Sequence, residues 1–379
     1  MNNLDHTVVD VHVHVGVVGD SQPQHGGMSK HYRESVGFKI FLLFLGVNED
    51  DVCDDFLREE TIKRISASKV DKVVLLALDP VYDKDGNRQE SRSHMWVANE
   101  YVYELCHEPR LANRALMACS VHPYDRNFKE RVREWIGKGA VVIKWLPSAQ
   151  QIDLASDRVR EALLFLAKAC PDNTPLPLLL HVGPEYAIPS TDERTRTYDY
   201  LTWSTWDDVV NFFRFKKKWH KPNIKALHKN LKAGLEAGAQ IIFAHCGLPY
   251  FFSGFMGQAL EHDEFRVVRR YLLDTKSGKF AGKCYTDVSA IATPFRRNYF
   301  KDVAALPEDL VLYGSDFPTP VFELSADLKE MMADFEAMLK GDLGRIIIPQ
   351  DNLLDVNLRE LRNFFPNHPL FHNFARQLL

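Results

Sequence analysis

The sequence lacks most of the features that would assign it to a specialised class of protein. Its six cysteines lie singly, without a C-x-x-C pair, which excludes a disulfide framework and a zinc-finger spacing. The longest apolar run outside the predicted strands, FKIFLLFLGV from Phe38, has about half the length that spans a bilayer. The N-terminus has no basic segment leading into an apolar stretch, as a secretory signal would. These absences predict a cytoplasmic protein, in which the apolar run is a buried segment or a cover over a site.

An excess of charge of one sign is also missing. With a formal net charge of -4 over 379 residues, the chain has no basic field that would attract nucleic acid or anionic lipid. Its 45% hydrophobic and 26% charged residues are typical of a globular protein with a substantial core. No internal repeat, low-complexity tract or linker divides the sequence. We therefore expect one domain over residues 1–379, with a small molecule as its partner and neither nucleic acid nor membrane.

The sequence does contain a regular alternation of strand-like and helix-like segments. Eight near-continuous apolar runs are typical of parallel strands covered on both faces. They span residues 8–16, 70–79, 115–123, 140–146, 176–183, 239–247, 284–290 and 310–318. Helical patterns fall between them, most clearly at 159–170, 224–235 and 328–339. This alternation predicts a (β/α)8 TIM barrel. A doubly wound open sheet is the alternative, but no G-x-G-x-x-G or P-loop follows the first strand.

Polar side chains stand at the C-terminal ends of five of these runs. His12 and His14 alternate with valines in DVHVHVG, so both histidines lie on one face of the first strand. Four further residues close later strands: Lys144 in VIKWLP, His181 in LLLHVG, His245 in FAHCGLP and Asp316 in VLYGSDFP. Because barrels build their sites at the C-terminal ends of the strands, all six side chains are predicted to converge.

Each of these residues alone has an ordinary structural explanation. A single histidine that closes a strand is more often a hydrogen-bonded core or loop residue than a ligand. Asp316 also suits a helix cap, and Lys144 also suits contact with solvent. These explanations give no reason for all six residues to fall at the same end of separate strands. We therefore predict a metal site.

The ordered set of signatures resembles the amidohydrolase superfamily of metal-dependent hydrolases, in its broad amidohydrolase 2 branch. The resemblance rests on DVHVHVG at strand one, VIKWLP at strand four, LLLHVG at strand five, FAHCGLP at strand six and VLYGSDFP at strand eight. It implies a (β/α)8 barrel that holds one or two divalent metal ions, most often zinc. Neutral imidazoles and carboxylate oxygens suit Zn²⁺, and Mn²⁺, Fe²⁺ or Ni²⁺ would also accept them.

The resemblance also implies roles for the individual residues. His12, His14 and Asp316 are assigned to the metal first, and His181 is the next ligand. Asp316 resembles the group that takes a proton from the attacking water and returns it to the leaving group. A bound divalent ion can lower the pKa of its water from about 15.7 to about 7, which provides hydroxide at neutral pH.

Lys144 distinguishes two versions of this site. A lysine ammonium, with an ordinary pKa of about 10.4, cannot bind a metal unless carbon dioxide converts it to a carbamate. In the binuclear version, which we favour, the carbamate bridges two ions, and His181 with His245 holds the second. In the mononuclear version His181 binds the single ion and His245 orients or deprotonates the water. Lys144 then stays cationic and holds a substrate carboxylate.

Other residues at the strand ends have more than one interpretation. His122 and Tyr124, in CSVHPYD at the end of strand three, are candidate substrate contacts. Asp10 either supports a metal ligand or makes a core hydrogen bond. Asp287, in YTDVS at the end of strand seven, is a weaker candidate for the site.

Two long insertions and a tail extend the predicted barrel. The first insertion, residues 17–50, follows strand one, and the second, residues 184–222, follows strand five. Trp203 and Trp206 in the second are candidate walls of an apolar substrate pocket. This insertion also suits a helical hairpin that packs against the barrel or against a partner subunit in a homo-oligomer. The tail from about residue 340 predicts one further helix and no catalytic residue.

The predicted function is metal-dependent hydrolysis of an amide, ester, lactone or related bond in a small molecule. A second class stays open, because the branch that the chain resembles includes metal-dependent decarboxylases and hydratases acting on aromatic or unsaturated carboxylates. A cationic Lys144 and an aromatic pocket would favour such a lyase, whereas a carbamate would favour hydrolysis. A third hypothesis, a non-catalytic barrel, leaves the ligand set without a purpose.

Overall fold

The centre of the molecule is an eight-stranded sheet in which every neighbouring pair of strands is parallel. The computed structural model describes residues 6–45, 47, 49–111, 113–183, 185, 187–202, 222–248, 263–293, 296–319 and 351–379. The strands follow one another around the sheet in chain order. They are β1 (Val9–His14), β2 (Lys72–Leu76), β3 (Ala115–Cys119), β4 (Ala140–Trp145), β5 (Leu178–Leu180), β6 (Gln240–Phe243), β7 (Lys283–Asp287) and β8 (Val311–Leu312).

The sheet closes between its first and last strands. The backbone N–H of Val11 donates to the Tyr313 carbonyl at 3.0 Å, and that of His14 donates to the Phe317 carbonyl at 2.9 Å. Val13 and Phe317 form a parallel bridge at the same seam. Eight parallel strands whose last strand pairs with the first form a (β/α)8 barrel. The predicted fold class is therefore confirmed.

Helices lie outside the barrel and in the segments that extend it. Ser156 is the N-cap of one of them, because its side chain accepts a hydrogen bond from the Val159 N–H. The described α-helices are α1 (Lys30–Arg33), α2 (Val36–Leu45), α3 (Asp54–Ala67), α4 (Asn99–Cys106), α5 (Phe128–Gly137), α6 (Pro147–Gln150), α7 (Asp157–Leu166), α8 (Ile224–Glu236), α9 (Asp263–Lys276), α10 (Phe300–Ala304), α11 (Leu353–Phe364) and α12 (Leu370–Gln377).

The observed strands are shorter than the apolar runs that predicted them. β5 occupies three residues of the predicted 176–183, and β6 occupies four residues of the predicted 239–247. The β6 ladder ends at Phe243 because the chain turns sharply there, and His245 has a left-handed φ of 58°. His181, His245 and Asp316 therefore lie on the turns that follow the strands, at the end where a barrel builds its site.

The first insertion is anchored to the body of the barrel at two points. A short strand, Gly26–Met28, pairs antiparallel with Met95–Val97 from the segment after β2. The carboxylate of Asp54, the first residue of α3, accepts hydrogen bonds from the N–H groups of Val18 and Gly19 at 2.7 and 2.9 Å. Between these anchors lies α2, which contains most of the apolar run that starts at Phe38.

In the part of the tail that the structure describes, residues 351–379, there are two helices, α11 and α12, where the sequence predicted one. The final segment becomes helical because Leu370, Phe371 and Phe374 fall on one side of it and are buried against the barrel. The Tyr313 N–H also donates to the Leu370 carbonyl at 3.1 Å. The helix predicted at 328–339 lies outside the described residues. Within the described ranges, no helix has both the length and the apolar character needed to cross a membrane.

Candidate metal centre

Three side chains from the first and last strands meet at the C-terminal end of the barrel. His12 Nε2 lies 3.2 Å from His14 Nε2 and 3.4 Å from Asp316 Oδ1, and His14 Nε2 lies 3.3 Å from Asp316 Oδ1. β1 supplies both histidines on one face because they are two residues apart. The Asp316 N–H donates to the His12 carbonyl at 2.9 Å, so barrel closure brings the carboxylate to the histidines.

This triangle of donor atoms fits a divalent ion. Ligand atoms about 2.1 Å from a tetrahedral zinc ion lie roughly 3.4 Å from one another. The three observed separations are 3.2, 3.3 and 3.4 Å. Two imidazole nitrogens and one carboxylate oxygen form a set that Zn²⁺, Mn²⁺ or Fe²⁺ accepts. The residues that the sequence assigned to the metal first are thus brought together with suitable spacing.

His12 has the form that a metal ligand requires. The hydrogen-bond pattern assigns its proton to Nδ1, which donates to Asp287 Oδ2 at 3.0 Å. The lone pair is then on Nε2, on the side of His14 and Asp316. Burial lowers the pKa of His12 to about 4, and the Lys144 charge acts in the same direction. The imidazole is therefore neutral at pH 7 and available as a ligand.

Asp287 connects His12 to the rest of the site. While its Oδ2 holds His12, its Oδ1 accepts hydrogen bonds from the N–H groups of His245 at 3.0 Å and Ser289 at 2.9 Å. Burial would raise the pKa of this carboxyl, but His12, His245 and Ser289 outweigh it and lower the pKa below its ordinary value. An ionised Asp287 orients a candidate ligand. Its position at the end of β7 was the signal in the sequence.

Asp316 is ionised and partly open to a cavity. Its side chain is 15% exposed, and Thr319 Oγ1 donates to its Oδ2 at 2.9 Å. Burial would raise its pKa, but His245, His14 and His12 hold the pKa well below its ordinary value. Asp316 has a φ of 61°, close to the 58° of His245. Left-handed backbone is uncommon for residues other than glycine and is concentrated at functional sites.

Lys144 lies inside the predicted ligand set. Its Nζ donates to His12 Nε2 at 3.3 Å, and the residue is 1% exposed. Burial lowers the pKa of Lys144, while the Asp287 and Asp316 carboxylates oppose that shift. The amine is near enough to the candidate ligands to bridge ions as a carbamate, and equally near enough to hold a substrate carboxylate as a cation.

His245 and His181 bring the number of clustered imidazoles to four. The His245 ring centroid lies 5.0 Å from that of His12 and 5.1 Å from that of His181. The His245 Nδ1 is 2.8 Å from Ser289 Oγ. Burial lowers the pKa of His245 well below its ordinary value, so this imidazole is neutral at pH 7.

Two carboxylates of the second insertion flank His181. Glu185 Oε2 lies 3.1 Å from His181 Nε2, and Asp199 Oδ2 lies 3.3 Å from His181 Nδ1. Asp199 is fully buried, and its Oδ1 accepts from the Ser148 N–H at 2.7 Å. Sequence reasoning did not single out either acid, because no spacing rule places the residues of a long insertion. Glu185 had one local signal, its position four residues after His181.

Asp10 lies deeper in the barrel than the histidine pair. Its Oδ1 accepts hydrogen bonds from the N–H groups of His12 at 3.1 Å and Ser315 at 2.9 Å. These bonds tie β1 to the turn that carries Asp316. Burial raises the pKa of Asp10 from 3.8 to about 7. The sequence allowed two roles for Asp10, a core hydrogen bond or support of a metal ligand. Its contacts are core hydrogen bonds, and one of them holds the backbone of the candidate ligand His12.

The raised pKa of Asp10 predicts a pH dependence of stability. Between about pH 4 and 7 the unfolded chain releases this proton while the folded chain keeps it, so rising pH weakens the folded state. The loss is up to about 1.4 kcal/mol per pH unit and ends above pH 7. The Asp10→Asn variant lacks this titration. Its free energy of unfolding relative to the wild type, measured by urea denaturation of metal-free protein, should rise from pH 4 to 7. A difference independent of pH would contradict the prediction.

His122 and Tyr124 lie in the segment that follows β3. His122 Nε2 donates to the Gln150 carbonyl at 2.9 Å, and its Nδ1 accepts from the Tyr124 N–H at 3.1 Å. Burial lowers the pKa of His122 to about 3. Neither residue is among the described side chains that line the cavity beside His14 and Asp316. Their role as substrate contacts stays a prediction, and the candidates Trp203 and Trp206 lie outside the described residues.

A cavity of about 130 Å³ opens onto the candidate metal centre. Its inner end is formed by His14, Lys144, His181, His245 and Asp316. Its outer walls are mainly apolar, and α2 of the first insertion contributes a large part of them. The apolar run that starts at Phe38 therefore covers the site, which is one of the two roles predicted for it.

Comparison with solved structures gives the same fold. IDCase from Metarhizium anisopliae, solved in the apo form, is 13% identical to this chain with a TM-score of 0.50. The match covers 98% of this chain and 97% of that one. The chain shares the fold of this IDCase. At 13% identity the likeness establishes the barrel, and the reaction must be argued from the side chains of the site.

Two further solved structures accompany it at lower TM-scores. A 5-carboxyvanillate decarboxylase from Novosphingobium aromaticivorans with bound manganese is 14% identical, with a TM-score of 0.44. That match covers 88% of this chain and 92% of the decarboxylase. An amidohydrolase from Burkholderia multivorans with bound zinc is 15% identical, with a TM-score of 0.43 and coverage of 89% and 93%. No protein-family model and no curated protein sequence matches this chain.

Proposed function

We propose that this chain is a metal-dependent enzyme of the amidohydrolase superfamily, in its amidohydrolase 2 branch. We further propose that it hydrolyses an amide, ester, lactone or related bond in a small molecule. The observation that carries the proposal is the triangle of His12 Nε2, His14 Nε2 and Asp316 Oδ1 at the inner end of a cavity. His12, His14 and Asp316 would hold a divalent ion, with His181 as the next ligand. Such an ion supplies Lewis-acid activation of water at neutral pH.

The residues around the triangle supply the proton transfers that hydrolysis needs. Asp316 is ionised and partly exposed to the cavity, so it can take a proton from water and return it to the leaving group. His245 is neutral and its ring lies between those of His12 and His181, where it can orient the water or accept its proton. Asp287 keeps His12 in the tautomer that leaves Nε2 free.

Lys144 supports a second candidate, non-oxidative decarboxylation or hydration of an aromatic or unsaturated carboxylate. A buried cation beside the ligand set would bind the carboxylate of such a substrate. In the hydrolase with two ions, Lys144 would instead be a carbamate, formed from the amine and carbon dioxide with release of a proton, and would be one of the residues that hold the ions. The number of ions and the covalent state of Lys144 therefore distinguish the candidates.

Metal removal tests the proposed function. Protein stripped with a chelator is expected to lose turnover of a panel of esters, anilides and lactones, and Zn²⁺ or Mn²⁺ should restore it. Intact mass and metal analysis of the same restored sample should show two ions with Lys144 carboxylated to a carbamate, or one ion with an unmodified lysine. Turnover that survives metal removal would contradict the proposal. Metal-dependent release of carbon dioxide from aromatic carboxylates, without hydrolysis of the panel, would establish the lyase instead.

A further inference from the structure

One face of α2 forms the apolar wall of the cavity next to the candidate metal centre. Phe38, Phe41, Leu42 and Leu45 all line the cavity and are spaced as i, i+3, i+4 and i+7, which is a single face of a helix. Opposite side chains, Met28, Leu57, Met95 and Ile188, are also apolar. The space that begins at the candidate metal ligands is therefore bounded by hydrocarbon along most of its length.

The charged groups of the cavity wall other than Lys144 and Asp316 are already paired within the protein. Arg64 Nε donates to Glu60 Oε2 at 3.2 Å, and an Arg64 terminal nitrogen donates to the Leu45 carbonyl at 2.9 Å. The same contact fixes Arg64 to the C-terminal end of α2. Glu185 Oε1 accepts hydrogen bonds from two backbone N–H groups, those of Ala187 and Ile188. A charged substrate group at the outer end would have to break these contacts.

The size of the cavity limits what it accepts. Its volume of about 130 Å³ is slightly below the roughly 150 Å³ of an apolar protein cavity that binds benzene. A space of this size accepts one phenyl ring or a short alkyl chain. A longer chain would have to leave the cavity or displace α2.

We infer that the substrate carries an uncharged apolar group, of about the size of a phenyl ring or a four-carbon chain, that binds beneath α2. The bond to be cleaved then lies at the inner end of the cavity, beside His14, Lys144 and Asp316. This inference rests on the proposed function for the position of the reacting bond. It makes the α2 face the part of the molecule that selects the substrate.

Alkyl and aryl hydroxamic acids test the inference without requiring turnover. The hydroxamate group binds a divalent ion whatever the reaction, so the tail reports on the α2 face. In metal-loaded protein, calorimetry should show affinity rising about fourfold for each methylene buried, or roughly 15-fold from acetohydroxamate to butyrohydroxamate. Benzohydroxamate should bind at least about tenfold more tightly than acetohydroxamate. Succinic acid monohydroxamate, whose tail is anionic, should bind at least about tenfold more weakly than pentanohydroxamate.

Variants of α2 identify the wall that produces this selectivity. Leu45→Trp fills the cavity, so the affinity ratio of benzohydroxamate to acetohydroxamate should fall to about one. Leu45→Ala enlarges the cavity and should shift the preferred tail to a longer chain. Leu273→Trp is the matched control, because Leu273 lies on α9, is 43% exposed and is not among the cavity residues. This control should keep the wild-type ratio.

Benzene provides a measurement that does not depend on metal. Metal-free protein should show a melting temperature that rises with benzene concentration, and Leu45→Trp should abolish the rise. Equal hydroxamate affinities together with no effect of benzene would overturn the inference and leave the proposed function intact. Tighter binding of the anionic tail would overturn it as well. Loss of metal binding with a retained benzene effect would instead count against the proposed function alone.

Discussion

Replacing Asp316 with asparagine is expected to lower kcat by about 100- to 10,000-fold. The amide has nearly the shape of the carboxylate, but it cannot accept a proton from water or return one to the leaving group. Steady-state kinetics of the metal-restored enzyme on an ester or lactone of the substrate panel measures the effect. Because Asp316 Oδ1 also lies within 3.4 Å of both histidine ligands, metal affinity should fall too. The assay must therefore be run at saturating metal, with the metal content of the variant measured.

Asp309→Asn is the control for this substitution. Asp309 is an exposed carboxylate that forms an ion pair with Lys276 at 2.8 Å, just before β8 begins. Its loss removes the same charge without touching the candidate centre, so kcat should stay within about twofold of the wild type, as for other surface changes. If Asp316→Asn keeps wild-type kcat at full metal content, Asp316 is not the proton-transfer group.

Replacing Asp287 with asparagine is expected to weaken metal binding by about 10- to 100-fold. The carboxylate now accepts from His12 Nδ1 with one oxygen and from two backbone N–H groups with the other. An amide must turn its NH₂ group toward one of these donors. If it faces His12, the imidazole has to move its proton to Nε2, which removes the lone pair that the metal needs. Competition with a chromophoric chelator measures the affinity.

Asp10→Asn is a matched control for Asp287→Asn. Both carboxylates are fully buried at the centre of the barrel, but Asp10 Oδ1 accepts from backbone N–H groups, which an amide oxygen can do equally well. Its metal affinity should stay within about threefold of the wild type. Equal losses in the two variants would show that any buried substitution disturbs the site, and that Asp287 has no particular effect on His12. Urea denaturation should meanwhile show a loss of about 1–3 kcal/mol for Asp287→Asn, since it leaves a buried donor unpaired.

The proposed chemistry depends on different charges being kept on neighbouring groups. Burial keeps His12 and His245 neutral, while the contact with His14 helps to keep the Asp316 carboxylate ionised. Neutral imidazoles and an ionised carboxylate are the forms that bind a divalent ion. The same arrangement leaves Asp316 as a base on the side open to the cavity. Ligand and base therefore require no rearrangement of protons before substrate binds.

Much of the fold was predictable because its signals are local. Each parallel strand is an apolar run of a few residues, and each predicted run overlaps an observed strand. The second tail helix was missed because its apolar face is short and becomes evident only where it meets the barrel.

The candidate site was predictable for the residues that stand at strand ends. That position named His12, His14, Lys144, His245 and Asp316. In the structure His12 Nε2 lies within 3.4 Å of His14, Lys144 and Asp316, and the His12 ring centroid lies 5.0 Å from that of His245. Asp199 and Glu185 were not, because they reach His181 from an insertion of unpredictable path. Asp287 was undervalued, since its importance comes from a partner 275 residues away.

The sequence by itself determined the barrel, the order of its strands and the set of side chains at their C-terminal ends. These follow from periodicity and from the rule that parallel strands present their last residues on one side. Only the tertiary structure decided which atoms meet, which groups are charged and what shape the cavity has. Those properties depend on distances between residues far apart in the chain and on burial, which no local pattern contains. The substrate selectivity inferred for α2 is likewise decided by the tertiary structure.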